Sequence, residues 1–435
     1  MTTLFASIKS NAKSVFVRKG DNVAYIDGIR ALSCIAIFLY HSFFLYHLYT
    51  PFEHFAEFVK HTPLSLSWIW GLDKSVDAFF LISGFLIGGL LFKEHKQTKN
   101  INLKSFYWRR YLRLTPIYWF AMLVFFVLAP QHSSTLWANV LYINNFLSLE
   151  HMSMPWTWSL AVEEQFYLLF PPLLLWFILK GSNPLNRLLA LYFLSYLVVA
   201  AVAYNSPLWH MDYEQQVSSA ENIKLYFDML YVNLYTRFGP LINGAIVAYL
   251  VMYRKTWVER WLSNTFWVNI ITLCAIATIG LGMILNGNKH WFSGIPSFGP
   301  MMLIFDKNLF SLALSWIVLS CPSNAITAKV ICRFLSAKIW YPFAQLSYSM
   351  YLFHYMILIP LLFVLVKYLK QNNLPHTPAE HEWFFVVFIV LLVVCVPFCF
   401  LTYLFIEKPF INMRSKAPVS LSAPSSVKTA DSSAT

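Results

Sequence analysis

The feature that most constrains this chain is its spacing of apolar residues, which fall in blocks of about 18 to 22 along nearly its whole length. A block of that size is what a helix needs to cross a hydrocarbon layer of about 30 Å. Inside lipid every backbone N–H and C=O must find a partner within the chain. Blocks of this length without strict alternation therefore form helices and not a barrel. The spacing predicts about ten spans, near 29–49, 75–92, 114–128, 160–179, 188–204, 236–253, 266–285, 301–319, 346–366 and 384–406. The expected class is all-α: a polytopic transmembrane bundle.

Composition agrees, since charged residues make up 12% of the chain against roughly 25% in a soluble domain. The formal charge of +12 could signal nucleic acid. In a membrane protein it more often reports loops facing anionic lipid, and no nucleic-acid partner is expected. With the N-terminus placed in the cytoplasm, the inner segments hold 23 of the 32 lysines and arginines and the outer loops six, with Arg30, Arg237 and Lys307 in or at the ends of spans. That asymmetry predicts both termini on the cytoplasmic side. Residues 4–17 are interrupted by Lys9 and Lys13, so 1–24 reads as an amphipathic lead-in on the membrane surface and not as a cleavable signal. Residues 25–410 form one membrane domain, and 411–435, rich in Ser, Ala and Pro, read as a disordered cytoplasmic tail. The six cysteines show neither a disulfide framework nor metal-like pairing.

Ionisable residues within spans are costly and so are functional candidates. The first span carries Arg30 and His41, eleven residues apart, hence on one face and about 16 Å apart along the axis. A lone intramembrane His is equally well a packing residue. A second, His354, at similar depth in the ninth span shifts the weight toward proton transfer, for which imidazole is suited. Arg110 and Arg113 stand at the start of the third span, where they read either as a positive-inside anchor or as a bidentate grip on phosphate helped by a helix N-terminus. Trp158, Ser159, Glu163 and Glu164 open the fourth span at its outer mouth. Asp77, Arg237 and Asp306 sit at comparable depth, and this concentration of charge predicts a polar cavity for an acceptor.

Taken together, the Arg30–His41 pair, the run from Asp77 to Ile87, the Arg110–Arg113 pair, the run from Trp158 to Tyr167, the run from Ser347 to His354 and the terminal Ile406-Glu407-Lys408-Pro409 resemble the acyltransferase-3 family, in order from about 25 to 410. The resemblance implies transfer of an acyl group, usually acetyl, from acyl-coenzyme A to a hydroxyl of a surface polysaccharide or another glycan, such as lipopolysaccharide O-antigen. By that resemblance the family's essential Arg and His fall on Arg30 and His41, its Arg pair on Arg110 and Arg113, and its Trp-Ser-Leu-x-x-Glu motif on Trp158, Ser159 and Glu163. Some members carry an additional extracytoplasmic hydrolase-like domain, so a separate transferase partner is expected wherever that step occurs.

These readings combine into one expectation. Arg110, Arg113 and Arg30 hold a cytoplasmic acetyl-coenzyme A without any metal. His41, Arg30, Glu163 and His354 carry the chemistry, and an outer cavity with Asp77, Trp158, Ser159, Glu164, Arg237 and Asp306 admits a glycan or lipid-linked glycan. The expected location is the cell membrane, of the bacterial inner-membrane kind, in contact with its lipids. A transporter or flippase of lipid-linked glycans would use a polar cavity among ten helices equally well.

Overall fold

Apolar side chains that cannot be buried in water drive the chain into long helices, and in the computed structural model all regular structure among the described residues, 2–18, 23–47, 55–372 and 382–414, is helical. The principal helices are α1 (Thr2–Phe16), α2 (Ala24–Tyr46), α3 (Ser75–Thr98), α4 (Leu103–Leu128), α5 (Trp158–Leu173), α6 (Pro184–Tyr204), α7 (Leu234–Tyr253), α8 (Thr265–Gly287), α9 (Phe298–Ser320), α10 (Trp340–Gln371), α11 (Glu382–Thr402) and α12 (Lys408–Arg414). Each of the ten expected spans falls on a helix, residues 48 and 49 of the first lying outside the described residues.

Nine helical stretches among the described residues are long and apolar enough to cross a membrane. The tenth expected span, α7, has 20 residues, about 30 Å of helix. Arg237, Asn243 and two glycines dilute its apolar character, and it is the most enclosed, packed against α3, α5, α6 and α9. The expected boundaries fall short at polar ends. Asn102 caps α4 by accepting from the Ser105 N–H at 2.9 Å, so this helix begins eleven residues before the expected 114, and α10 runs 32 residues. The tail expected from 411 is helical through Arg414; residues 415–435 lie outside the described set.

Two contacts organise the bundle. The α3–α7 crossing is closed by glycines, since a Cβ on Gly84 would run into the Leu241 carbonyl and one on Gly244 into the Leu81 carbonyl. The second is α10, which lies along α2 and α11. Near Pro171 and Pro172 the helix loosens into a π turn at Leu174–Ile178, as expected where proline removes ladder donors. A similar turn, Tyr403–Glu407, joins α11 to α12. The lead-in α1 packs on α10 and this turn, with Ser14 Oγ 3.2 Å from the Tyr403 hydroxyl. Asn412 donates to Asn11 at 3.2 Å, so both described ends of the chain meet at one end of the bundle.

Candidate active site

Helices α2, α3 and α10 run through the centre of the bundle and line three cavities in sequence. A vestibule of about 340 Å³ opens between the start of α2, the start of α10 and the segment around α12. Arg30, Arg113 and Lys408 face it together with Asp27 and Glu407. Asp27 is paired with Arg18 at 3.0 Å, and Glu407 accepts from Ser349 at 2.8 Å, so the vestibule wall carries charge of both signs. An arginine cavity of about 90 Å³ follows, walled by Arg30, Arg110, Arg113, Glu163, Tyr167 and Ser347 among others. An aromatic cavity of about 180 Å³ lies beyond, with His41, Trp70, Trp156, Trp158, Tyr231 and Tyr355 in its wall.

Helix geometry explains the order. On α2, Arg30 lines the vestibule and the arginine cavity and His41 the aromatic one, about 16 Å farther along at 1.5 Å per residue. On α10, Gln345 faces the vestibule, Ser347 the arginine cavity and Tyr355 the aromatic one, while Tyr351 borders the last two. The Tyr351 hydroxyl is fixed between the Trp156 carbonyl, to which it donates at 2.7 Å, and Ser159 Oγ at 2.7 Å. It forms the partition between the arginines and His41.

Arg30 donates to Ser347 Oγ at 3.0 Å, and Arg110 lies over the Tyr167 ring at 5.2 Å. Glu163 accepts from Ser83 at 2.9 Å and from the Tyr167 hydroxyl at 2.8 Å. Three guanidinium groups around one carboxylate leave a surplus of fixed positive charge, which suits an anionic ligand. At the other end His41 Nδ1 lies 2.7 Å from His354 Nε2. The fully buried His354 lies near-parallel to Phe38 at a centroid distance of 4.9 Å and meets His41 edge to edge, the two ring planes 11° apart. Tyr355 sets its edge against His41 and stacks on Trp156. Lys289, in the loop after α8, also faces the aromatic cavity. Burial holds its amine down at about 7, against the opposing pull of Asp306.

Several expected placements are corrected. Arg110 and Arg113 are not at a helix start: α4 begins at Leu103, so they reach the cavity from its second and third turns without help from the helix terminus. Glu163 does not belong to an outer acceptor cavity but shares the arginine cavity with Ser159. The two are one turn apart on α5, while Trp158, a residue earlier, turns about 100° away into the aromatic cavity. Glu164 is rotated likewise and lines none of the three cavities.

Asp77, Arg237 and Asp306 do not face His41 either. Asp77 and Arg237 approach to 2.9 Å while almost wholly buried, and Arg237 lies over Tyr231, Trp158 and Phe80. Asp306 pairs with Lys74 at 3.1 Å, and Lys307 with Asp73 at 2.7 Å. Lys74, which directly precedes α3, is completely buried. Three opposite-charge pairs thus form a layer behind the aromatic cavity. Sequence reasoning missed Asp73, Ser83, Lys289 and Tyr351. A signal was present for Asp73 and Lys74, an adjacent acid and base leading directly into an apolar run.

Comparison with known proteins follows the same lines. The family described as an acyltransferase domain matches residues 23–404. The chain is 26% identical over 418 residues to the O-acetyltransferase OatA of Staphylococcus aureus, covering 90% of this chain and 58% of that protein. It is 24% identical over 388 residues to nose resistant to fluoxetine protein 6 of Caenorhabditis elegans, covering 80% of this chain and 47% of that one. The chain therefore spans about half the length of the curated relatives it matches, and no solved structure matches it. With a family match over most of its length and a fold of long apolar helices, the chain belongs to the acyltransferase-3 family and is a multi-pass membrane protein.

Proposed function

We propose that this protein moves an acetyl or other short acyl group from acyl-coenzyme A to a hydroxyl of a cell-surface glycan. The observation that carries the reading is the series of cavities, cationic at one end and aromatic with an imidazole at the other, threaded by the same helices. The vestibule and the arginine cavity suit a donor with phosphates at one end and a slender arm. Arg113 and Arg30 border both chambers, and Arg110 adds a third guanidinium deeper in. Flat aromatic walls and a few polar groups suit a sugar ring. Homology to an O-acetyltransferase supports oxygen as the accepting atom. In this reading the vestibule faces the cytoplasm and the protein sits in a cell membrane of the bacterial inner-membrane kind. A separate extracytoplasmic transferase then completes delivery where the glycan is out of reach.

His41 acts as the general base. Its lone pair takes the proton of the acceptor hydroxyl as that oxygen attacks the thioester carbonyl. The C–O bond forms, the C–S bond breaks, and the departing thiolate takes the proton back from His41, giving an ester and free coenzyme A. Base catalysis of this kind is worth roughly 10²–10⁴-fold.

The test uses membranes of a deletion strain complemented with the protein, which bring their own acceptor. Thiol release from acetyl-coenzyme A should accompany label transfer to glycan, and both should fall by at least about 10²-fold in His41→Ala. Replacing Arg110 and Arg113 together should raise the donor KM by about ten- to a hundredfold, as expected for lost charge-assisted hydrogen bonds. Glycan export without thiol release would instead identify a transporter.

A further inference from the structure

We infer that His354 is a positioning residue that fixes the tautomer of His41, presenting the lone pair of His41 Nε2 to the aromatic cavity; this rests on His41 being the base. The argument is one of hydrogen counting. His354 Nδ1 stands 2.7 Å from the carbonyl oxygen of Tyr351. A carbonyl has no hydrogen to give, so Nδ1 must carry one and donate it. A neutral imidazole has a single N–H, and His354 Nε2 therefore holds a lone pair. That atom lies 2.7 Å from His41 Nδ1, so the hydrogen between the two rings comes from His41. The lone pair of His41 then falls on Nε2, on the ring edge turned away from His354, and His41 is the ring that lines the cavity.

His354 is wholly buried, lines none of the three cavities and so acts through His41. Packing against Phe38 keeps its plane, and the Tyr351 carbonyl sets its rotation. A carboxylate fills this place in serine-hydrolase triads. A neutral ring does the same orienting work without adding an unpaired charge deep in the bundle, where charge is costly. As His41 gains the hydroxyl proton, its Nδ1–H bond to His354 becomes charge-assisted and shorter, which favours the state in which the acceptor oxygen attacks. Tyr351 thus serves twice: its hydroxyl stands at the border of the arginine and aromatic cavities, and its carbonyl begins the chain that orients the base.

Two substitutions separate hydrogen bonding from packing. His354→Phe keeps a ring and removes the acceptor; His354→Gln keeps an acceptor near the Nε2 position. In the complemented membranes, with acetyl-coenzyme A as donor, His354→Phe should lower kcat by about 10²-fold or more with little change in donor KM. His354→Gln should stay within about tenfold of the unaltered protein. Equal losses, or equal activities, in the two variants would overturn the proposal. Ring ¹⁵N spectra of the unaltered protein decide the matter independently of either variant. A protonated Nδ1 and unprotonated Nε2 on His41 are expected, and a protonated Nε2 would refute the assignment. A fully active His41→Ala variant would fail differently, removing the base reading itself.

Discussion

Asp77 and Arg237 meet where neither has water to soften its charge, so each depends on the other. Removing one partner of a buried pair leaves the second uncompensated and typically costs about 3–5 kcal/mol, whereas replacing both with apolar residues of similar volume is often neutral. Asp77→Leu alone should therefore lower the thermal midpoint of the detergent-solubilised protein sharply, and Asp77→Leu with Arg237→Met should recover most of the loss. A double variant as unstable as the single one would show that the pair does more than cancel charge. These residues stood out in the sequence because charge inside apolar blocks is conspicuous. Their pairing did not, because 160 positions separate them and only the α3–α7 crossing brings them together. Linear patterning also suggested that residues at one depth share one cavity. The arrangement on α5 shows otherwise: Trp158, Ser159, Glu163 and Glu164 are close in depth, yet 100° per residue distributes them over different faces.

At the scale of helices, the α3–α7 contact depends on atoms that are absent. Gly84→Ala or Gly244→Ala would place a methyl group against a neighbouring backbone carbonyl, which cannot move without separating the two helices and stretching the Asp77–Arg237 contact. Either substitution should reduce folded yield and thermal midpoint. Gly89→Ala, on the same helix with nothing near its Cβ position, should be neutral or slightly stabilising, since alanine favours a helix by about 0.8–1.0 kcal/mol over glycine. Size-exclusion profiles and melting curves of the three variants check this; equal behaviour of Gly84→Ala and Gly89→Ala would contradict it. Helix existence was legible from block length alone. Helix ends were less so, because α4 and α10 continue through polar turns in which the hydropathy that marks a span falls away. The glycine crossing carried no separable signal, since a Gly within an apolar block looks the same whether it faces lipid or another backbone.

The whole molecule turns these contacts into a path. The vestibule is built partly from both ends of the chain, Ser14 on α1 and Lys408 and Ile411 on α12, whereas the aromatic cavity is capped by loop residues such as Leu149 and Lys289. Ile26 and Phe44 on α2 mark the two ends of the path, about 27 Å apart along the helix. That the chain crosses a membrane, and that Arg30, Arg110, Arg113 and His41 are the candidates to line its interior, could be read from the sequence. That the arginines and Glu163 share one chamber, with Tyr351 between them and His41, could not, because it depends on how α5 and α10 rotate against each other. The path has a consequence for sidedness. Coenzyme A is highly charged and does not cross lipid, so the donor should work only from the face on which α1 and α12 meet. Sealed vesicles can be sorted by whether a tag at the C-terminus is accessible from outside. Vesicles with the tag outward should form labelled glycan when acetyl-coenzyme A is added to the medium, and vesicles with the tag inward should remain inactive until permeabilised. Equal transfer from both orientations would mean that donor and acceptor enter from the same side, and the three cavities would then be a closed interior and not a route across the membrane.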